Sequence, residues 1–259
     1  MSRFLKDTKK YYKYAIYSAK SKLQSEVASS YLNWLWWVLD PICFMLIYTL
    51  IFGVVFNAKE QYFTVFIFIG LTMWDFFNKT LQQSVKIVKN NKSIVAKVYL
   101  PKYILVMVRM FVNGFKMLIC FAIVVGMLVF FRVPVDAHIL YVIPILITVV
   151  LFTFGCCCIL LHLGVFIEDM SNVINIALRL VFYLTGIFYN IRSFPEPYQS
   201  LILRGNPLAL LITGLRDCVL YKSTPDMPWL GIWFLISLAL SVFGIWNIYK
   251  NENTYVKVI

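Results

Sequence analysis

Residues 34–56 read WLWWVLDPICFMLIYTLIFGVVF, an apolar run whose single charge is Asp40. The hydrocarbon core of a bilayer is crossed by about 20 apolar residues in helical form. This stretch therefore predicts a membrane span, and with it an all-α integral membrane fold. Five further stretches of the same character follow. The second starts near Tyr62 and runs through FTVFIFIGLTMWDFF; the others run about Ile104–Phe131, Ile139–Ile167, Val173–Ile191 and Trp229–Tyr249. The whole chain agrees with six transmembrane helices: of 259 residues, 61% are hydrophobic and 14% charged, and the mean hydropathy is +0.78. Soluble domains run about 45–50% apolar and about 25% charged. A soluble enzyme, a disordered chain and a conventional nucleic-acid-binding domain are excluded. The first 33 residues lack the short apolar core and small-residue cleavage site of a signal peptide.

The net charge of +12 is a matter of orientation. Sixteen cations fall on the side holding residues 1–33, the loop between spans two and three, the start of span five and the tail; six fall opposite, and Arg109 and Lys116 lie within span three. The positive-inside bias places both termini in the cytoplasm, with the excess facing anionic lipid and no nucleic acid required. Residues 9–33 (KKYYKYAIYSAKSKLQSEVASSYLN) interleave Tyr and Lys with apolar residues at helical spacing. They predict an amphipathic helix along the cytoplasmic interface. The organisation is thus an interface helix over 1–33 and a six-span domain over 34–259.

The external segment 190–228 is far longer than the other external loops. In it NPLALLITGLRDCVLY offers Asn206 as an N-cap and Pro207 at the first helical position. A helix from Pro207 to Tyr221 spans about 22 Å, too short and, at Thr213, Arg216 and Asp217, too polar to cross. It is expected to re-enter or lie on the outer surface, with a partner turn from Glu196 to Leu203, as a candidate gate.

Catalytic patterns are missing: the sequence holds no GxxxxGK[ST] phosphate loop and no HExxH. His138 and His162 lie near opposite ends of span four. The six Cys include no CxxC pair. Cys156, Cys157 and Cys158 are consecutive, about 100° apart around a helix, so no metal site is expected; Cys218 reads as a loop residue. Asp40, Asp75, Glu168 and Asp169 are the acids in or beside the spans, the last two in solvated cap territory. Lys116 must lie within the membrane, with snorkelling preferred over a polar lumen, and Arg109 and Arg179 are read the same way.

Two patterns carry more. Phe44, Tyr48, Phe52 and Phe56 recur every four residues along span one, and Phe182, Tyr183, Phe188 and Tyr189 have similar spacing in span five. Aromatic faces stack on the C–H surfaces of sugars, so the two stripes could line a saccharide path, although pattern alone prefers helix packing or lipid. The loop NKSIVAKVYLPKYIL (91–105) is basic, amphipathic over about ten residues and stopped by Pro101. A short helix of this kind docks into a groove of a soluble partner, the rival being a plain loop of orientation charges.

Four blocks resemble the membrane subunit of type-2 ABC exporters of polysaccharides and polyol phosphates, the family that moves O-antigen, capsule or teichoic acid polymers. SSYLNWLWWVLDP (29–41) resembles the start of the family's first span, with Asn33 where glycine is usual. NKSIVAKVYLP (91–101) resembles its coupling helix. FIEDMSNVINIAL (166–178) resembles the segment before span five, with Glu168 replacing the usual arginine. FPEPYQSLILRGNPLALLITGLRD (194–217) resembles the outer gate region. The resemblance implies a homodimer in a bacterial cytoplasmic membrane, with a soluble ATPase on each coupling helix. ATP and Mg would sit on that partner, and this chain would hold no cofactor. It assigns Ser93, Ile94, Lys97, Val98, Tyr99 and Pro101 to ATPase coupling. Phe44, Tyr48, Phe52, Phe182, Tyr183, Phe188 and Tyr189 go to a channel for a polyprenyl-linked or otherwise lipid-linked polymer. Asn206, Pro207, Thr213, Arg216 and Asp217 go to an outer gate. Two rivals are an exporter of drugs or lipids, and an integral-membrane enzyme on lipid-linked intermediates for which Asp40 or Asp75 would be essential.

Overall fold

The computed structural model describes residues 2–28, 31–56, 60–134 and 136–258. Ser29 and Ser30 of the first block, and the external cation Lys59, lie outside them. The described residues form helices and connecting turns, without a strand. In chain order the helices are α1 (Ser2–Val27), α2 (Trp36–Tyr48), α3 (Phe63–Val85), α4 (Ile87–Asn90), α5 (Lys92–Val95), α6 (Tyr103–Phe130), α7 (Val142–Phe166), α8 (Met170–Leu184), α9 (Tyr198–Gly205), α10 (Pro207–Val219), α11 (Met227–Lys250) and α12 (Glu252–Val258).

Four stretches of helix are long and apolar enough to cross a membrane: Trp36–Val55, Tyr103–Phe130, Ala137–Phe166 and Met227–Lys250. The other two expected spans differ for identifiable reasons. The second continues as α3 to Val85, taking in Asp75, Asn78, Lys79, Gln82 and Gln83. Those side chains dilute its apolarity. The fifth is the 15-residue α8, which stops at Leu184 instead of Ile191.

α3 is the axis of the fold. Sixteen of its 23 residues are buried, against α6, α7, α8 and α10. Its charged and amide residues lie on the remaining face, where Asp75, Asn78 and Gln83 are half-buried and Lys79 and Gln82 are exposed. α7 and α11 form the tightest pair. A Cβ on Gly155 would press on Leu240 and Ser241, and one on Gly244 on Cys158, while Ser241 Oγ donates to Leu151 O at 2.9 Å. Small residues let helix backbones approach where lipid supplies no hydrophobic drive.

α1 starts and stops earlier than expected. Phe4, Thr8, Tyr11, Ala15, Ala19 and Lys22, at spacings of three and four, are its shielded positions, and it packs on α6. Lys6, Lys9, Lys10, Lys13 and Lys20 face outward. The expected coupling helix over 91–101 is only the one turn of α5. Its chain then turns and bends through Val98 and runs without helix from Tyr99 to Pro101. Cys218 is corrected too: it is a buried residue in the last turn of α10.

Candidate functional site: an aromatic wall with a buried pin

The stripe in span one holds its alignment through a change of helix type. Residues four apart in an α-helix drift by about 40°. From Thr49 to Val55 the helix widens to π geometry, which turns less per residue and reverses that drift. The rings stay in register: Phe44–Tyr48 6.3 Å, Tyr48–Phe52 6.4 Å and Phe52–Phe56 5.6 Å between centroids.

The second stripe is not helical throughout. After Leu184 the chain turns at Gly186, whose φ of +68° is the left-handed region that glycine reaches without a Cβ clash. That turn folds Ile187 and Phe188 inward. Phe188 stacks on Phe52 at 4.4 Å and 10°, touches Tyr48 at 4.9 Å, and meets Phe182 edge-on at 5.3 Å. Tyr48, Phe52, Phe182 and Phe188 are therefore one continuous aromatic wall. Tyr183 is open and contacts Phe182. Tyr189 turns away, stacking on Phe194 and donating to Tyr183 O.

One buried cation holds this turn. Arg216 is 2% exposed, yet each guanidinium nitrogen has an acceptor: Nε donates to Phe66 O (3.1 Å), Nη1 to Gly186 O (2.7 Å) and Nη2 to Ile187 O (2.9 Å). The guanidinium also lies 3.4 Å over the Phe66 ring. A rigid fork of donors suits this job, and the free carbonyls past α8 attract a cation. Gly70 makes room, since a Cβ there would collide with Nη2 of Arg216.

The other residues expected at an outer gate surround that pin. Asn206 caps α10, its Oδ1 accepting from Leu208 N (3.1 Å) and Ala209 N (3.4 Å), and its amide donates to Thr185 Oγ1 at 3.2 Å. Asp217 pairs with Arg192 at 2.5 Å. Pro207 opens the helix and Thr213 is buried within it. α10 does not lie on the surface: every residue from Leu208 to Val219 is buried. Its polar side chains find partners inside the protein, which is how a short polar helix becomes core.

At the opposite end the chain ties three segments together. Arg3 donates to Tyr99 Oη (2.6 Å) and pairs with Glu252 (2.7 Å), and Tyr99 Oη donates to Glu252 at 3.0 Å. The hydrogen bonds that Arg3 donates to Glu252 first, then to Tyr99, hold it protonated beyond its ordinary range. Tyr11 Oη donates to Tyr99 O. Ser93, Ile94, Lys97, Val98 and Tyr99 are exposed around this knot, whereas Pro101 is buried. Lys89 pairs with Glu168 at 3.9 Å, on the same end.

The acids and cations left over by the sequence argument also meet. Lys116 pairs with Glu26 of α1, and Lys79 with Asp75, each at 2.6 Å. With Asp40 these residues line a recess of 290 Å³ between α1, α2, α3 and α6. A helix partner, which no sequence spacing shows, takes the place of simple snorkelling at Lys116. His138 and His162 are far apart in role: the first faces Asp136, the second Tyr255 at 2.8 Å. Among the described residues no group of three His, Cys, Asp or Glu is disposed to hold a metal. Sequence reasoning missed the knot of Arg3 and Glu252 altogether, because its members are 249 positions apart.

Residues 17–220 match the sequence family described as ABC-2 type transporter. The chain is 27% identical over 238 residues to an O-antigen export system permease protein RfbA from Klebsiella pneumoniae, covering 92% of this chain and 91% of that protein. It is 26% identical over 249 residues to the protein of that name from Myxococcus xanthus, covering 95% and 94%.

Proposed function

Because this chain belongs to the ABC-2 type transporter family, we propose that it is the permease subunit of an ATP-driven exporter carrying a lipid-linked polysaccharide of the O-antigen type out of the cytoplasm. Capsule and teichoic-acid polymers share the same chemistry of a lipid-borne chain of polar units. The observation that carries the reading is the full-length match to O-antigen export permeases, above nine-tenths of both chains. The joined aromatic wall supports it. A polymer of sugars slides along ring faces that contact C–H surfaces without a deep hydrogen-bonded trap.

In this reading two copies pack as a homodimer in the bacterial cytoplasmic membrane. Two copies of a soluble ATPase, carrying ATP and Mg, seat on the exposed turn around Ser93, Ile94, Lys97, Val98 and Tyr99. The chain passes six times, α3 and α8 making the two short or polar crossings, with both termini inside. Two sets of contacts support that count. Arg3, Tyr99 and Glu252 share one end, and Tyr221 donates to Glu60 at 2.7 Å at the other. Nucleotide closure pulls the two coupling turns together, the seam between subunits widens, and α9 with α10 frames the outer exit.

The test is gentle purification from the native membrane followed by an ATPase assay. A stoichiometric ATPase should co-purify, and Lys97→Glu with Tyr99→Ala should release it or disconnect its hydrolysis from export while leaving the permease in the membrane. An intact preparation without ATPase, or normal surface polymer after deletion of this chain, would overturn the proposal.

A further inference from the structure

α3 and α8 each carry a short polar stripe that the aromatic wall does not use. On α3 Asn78 and Gln82 are one turn apart. On α8 Asn175 and Arg179 are likewise one turn apart, with Tyr183 next in line. The fold sets the two stripes face to face across a recess of 540 Å³ lined by Trp74, Asn78, Gln82, Asn175, Arg179 and Tyr183, together with Leu178 and Phe182. Its volume is within the range of about 300–1,000 Å³ for small-molecule sites.

Amides on spanning helices are costly against lipid, so a recess that gathers three of them faces water or a polar guest. Their bonding state narrows the guest. Gln82 Nε2 donates to Asn78 Oδ1 at 2.9 Å. That leaves the Gln82 oxygen as an acceptor and the Asn78 nitrogen as a donor, both open. Asn175 and Arg179 have no side-chain hydrogen-bond partner among the described residues. An anion asks for donors alone. Mixed donors and acceptors, with one cation at the side, suit hydroxyl groups, which both give and accept. The floor is aromatic: the buried Trp74 packs on Phe182 at 5.2 Å, and Tyr183, edge-on to Phe182, is 67% exposed.

We propose that this recess is a saccharide subsite, in which Asn78, Gln82 and Asn175 hydrogen-bond the hydroxyls of a neutral sugar unit while Tyr183 faces its C–H surface. It rests on the exporter reading above and names where one unit of the polymer is held. The site adjoins the aromatic wall through Phe182, so a unit leaving the amides meets ring faces next.

The experiment uses the permease with its co-purified ATPase, and the producing strain. Asn175→Leu combined with Gln82→Leu should reach the membrane in normal amount and melt as the native protein does, yet lower surface polymer by about tenfold, the size of one or two lost hydrogen bonds. Asn175→Gln, which keeps an amide, should restore export to within about twofold on the same reasoning. Asn172→Leu, one turn earlier on α8 and outside the recess, should export normally. In the purified complex, millimolar maltotriose should raise the melting temperature of the native protein and not of the double Leu variant; inorganic pyrophosphate should do neither. Normal export by the double Leu variant overturns the subsite, as does protection by pyrophosphate in place of the trisaccharide, or by neither. Export lost only in Arg179→Gln would mark an anion site and also overturn it. Surface polymer that survives deletion of the whole chain is a different result, since it removes the exporter reading itself.

Discussion

Arg216 is a long cationic residue with no carboxylate on its own donors; three backbone carbonyls satisfy it. Replacing it with Leu leaves Phe66 O, Gly186 O and Ile187 O without that donor set in a dry site, at a cost of about 3 kcal/mol or more. The expected consequence is a fall of about 6–12 °C in melting temperature and loss of the Phe188 stack. Arg216→Lys should fare little better, because an ammonium cannot span three carbonyls as a planar fork does. Gly70→Ala should mimic the loss from the other side, since its methyl group would occupy the guanidinium's space. Thermal unfolding in detergent, with surface polymer measured alongside, checks all three. A Gly70→Ala protein that melts and exports as the native one does would show that the pin is dispensable.

Among the elements, the segment 98–101 stands out because it belongs to no helix yet touches two. Through Tyr99 it is held by Arg3 of α1 and Glu252 of α12. Exposed ion pairs are worth about 0–1 kcal/mol each, so breaking this knot should barely change stability. Its effect should fall on coupling: Tyr99→Phe and Glu252→Gln are each expected to leave membrane levels intact and to lower export per ATP hydrolysed by about two- to fivefold, the scale of a modest coupling free energy. Reconstituted vesicles with both quantities measured provide the check, and an unchanged ratio would confine the knot to a structural role. α7 and α11 make the opposite case. Gly244→Leu would drive a branched side chain into Cys158, and overpacking costs about 1–3 kcal/mol. Here the expected loss is in folded protein recovered from the membrane.

For the whole molecule, the decisive property is which end faces the cytoplasm. The end holding Arg3, Lys89, Tyr99 and Glu252 collects the cations, and the end holding Glu60, Arg192 and Tyr221 does not. In spheroplasts a membrane-impermeant maleimide should therefore label Glu196→Cys, whereas Lys6→Cys should react only after permeabilisation. The reverse pattern would invert the topology and remove the proposed coupling turn from reach of the proposed cytoplasmic ATPase.

Much of this protein was legible from residues 34–56 outward. Apolar length determined that the chain is a helical membrane protein, because the bilayer accepts few alternatives to a helix whose backbone bonds are closed within itself. Local chemistry also gave Asn206 and Pro207 as the start of a helix, since capping depends on neighbours in sequence. Tertiary structure alone decided the rest. α10 is buried because Arg216, Asn206 and Asp217 find partners on α3, α8 and the loop after α8, and Phe188 joins Phe52 because Gly186 turns the chain. Each of those facts is a meeting of residues distant in sequence, and periodicity along one helix carries no information about which other helix will come to satisfy it.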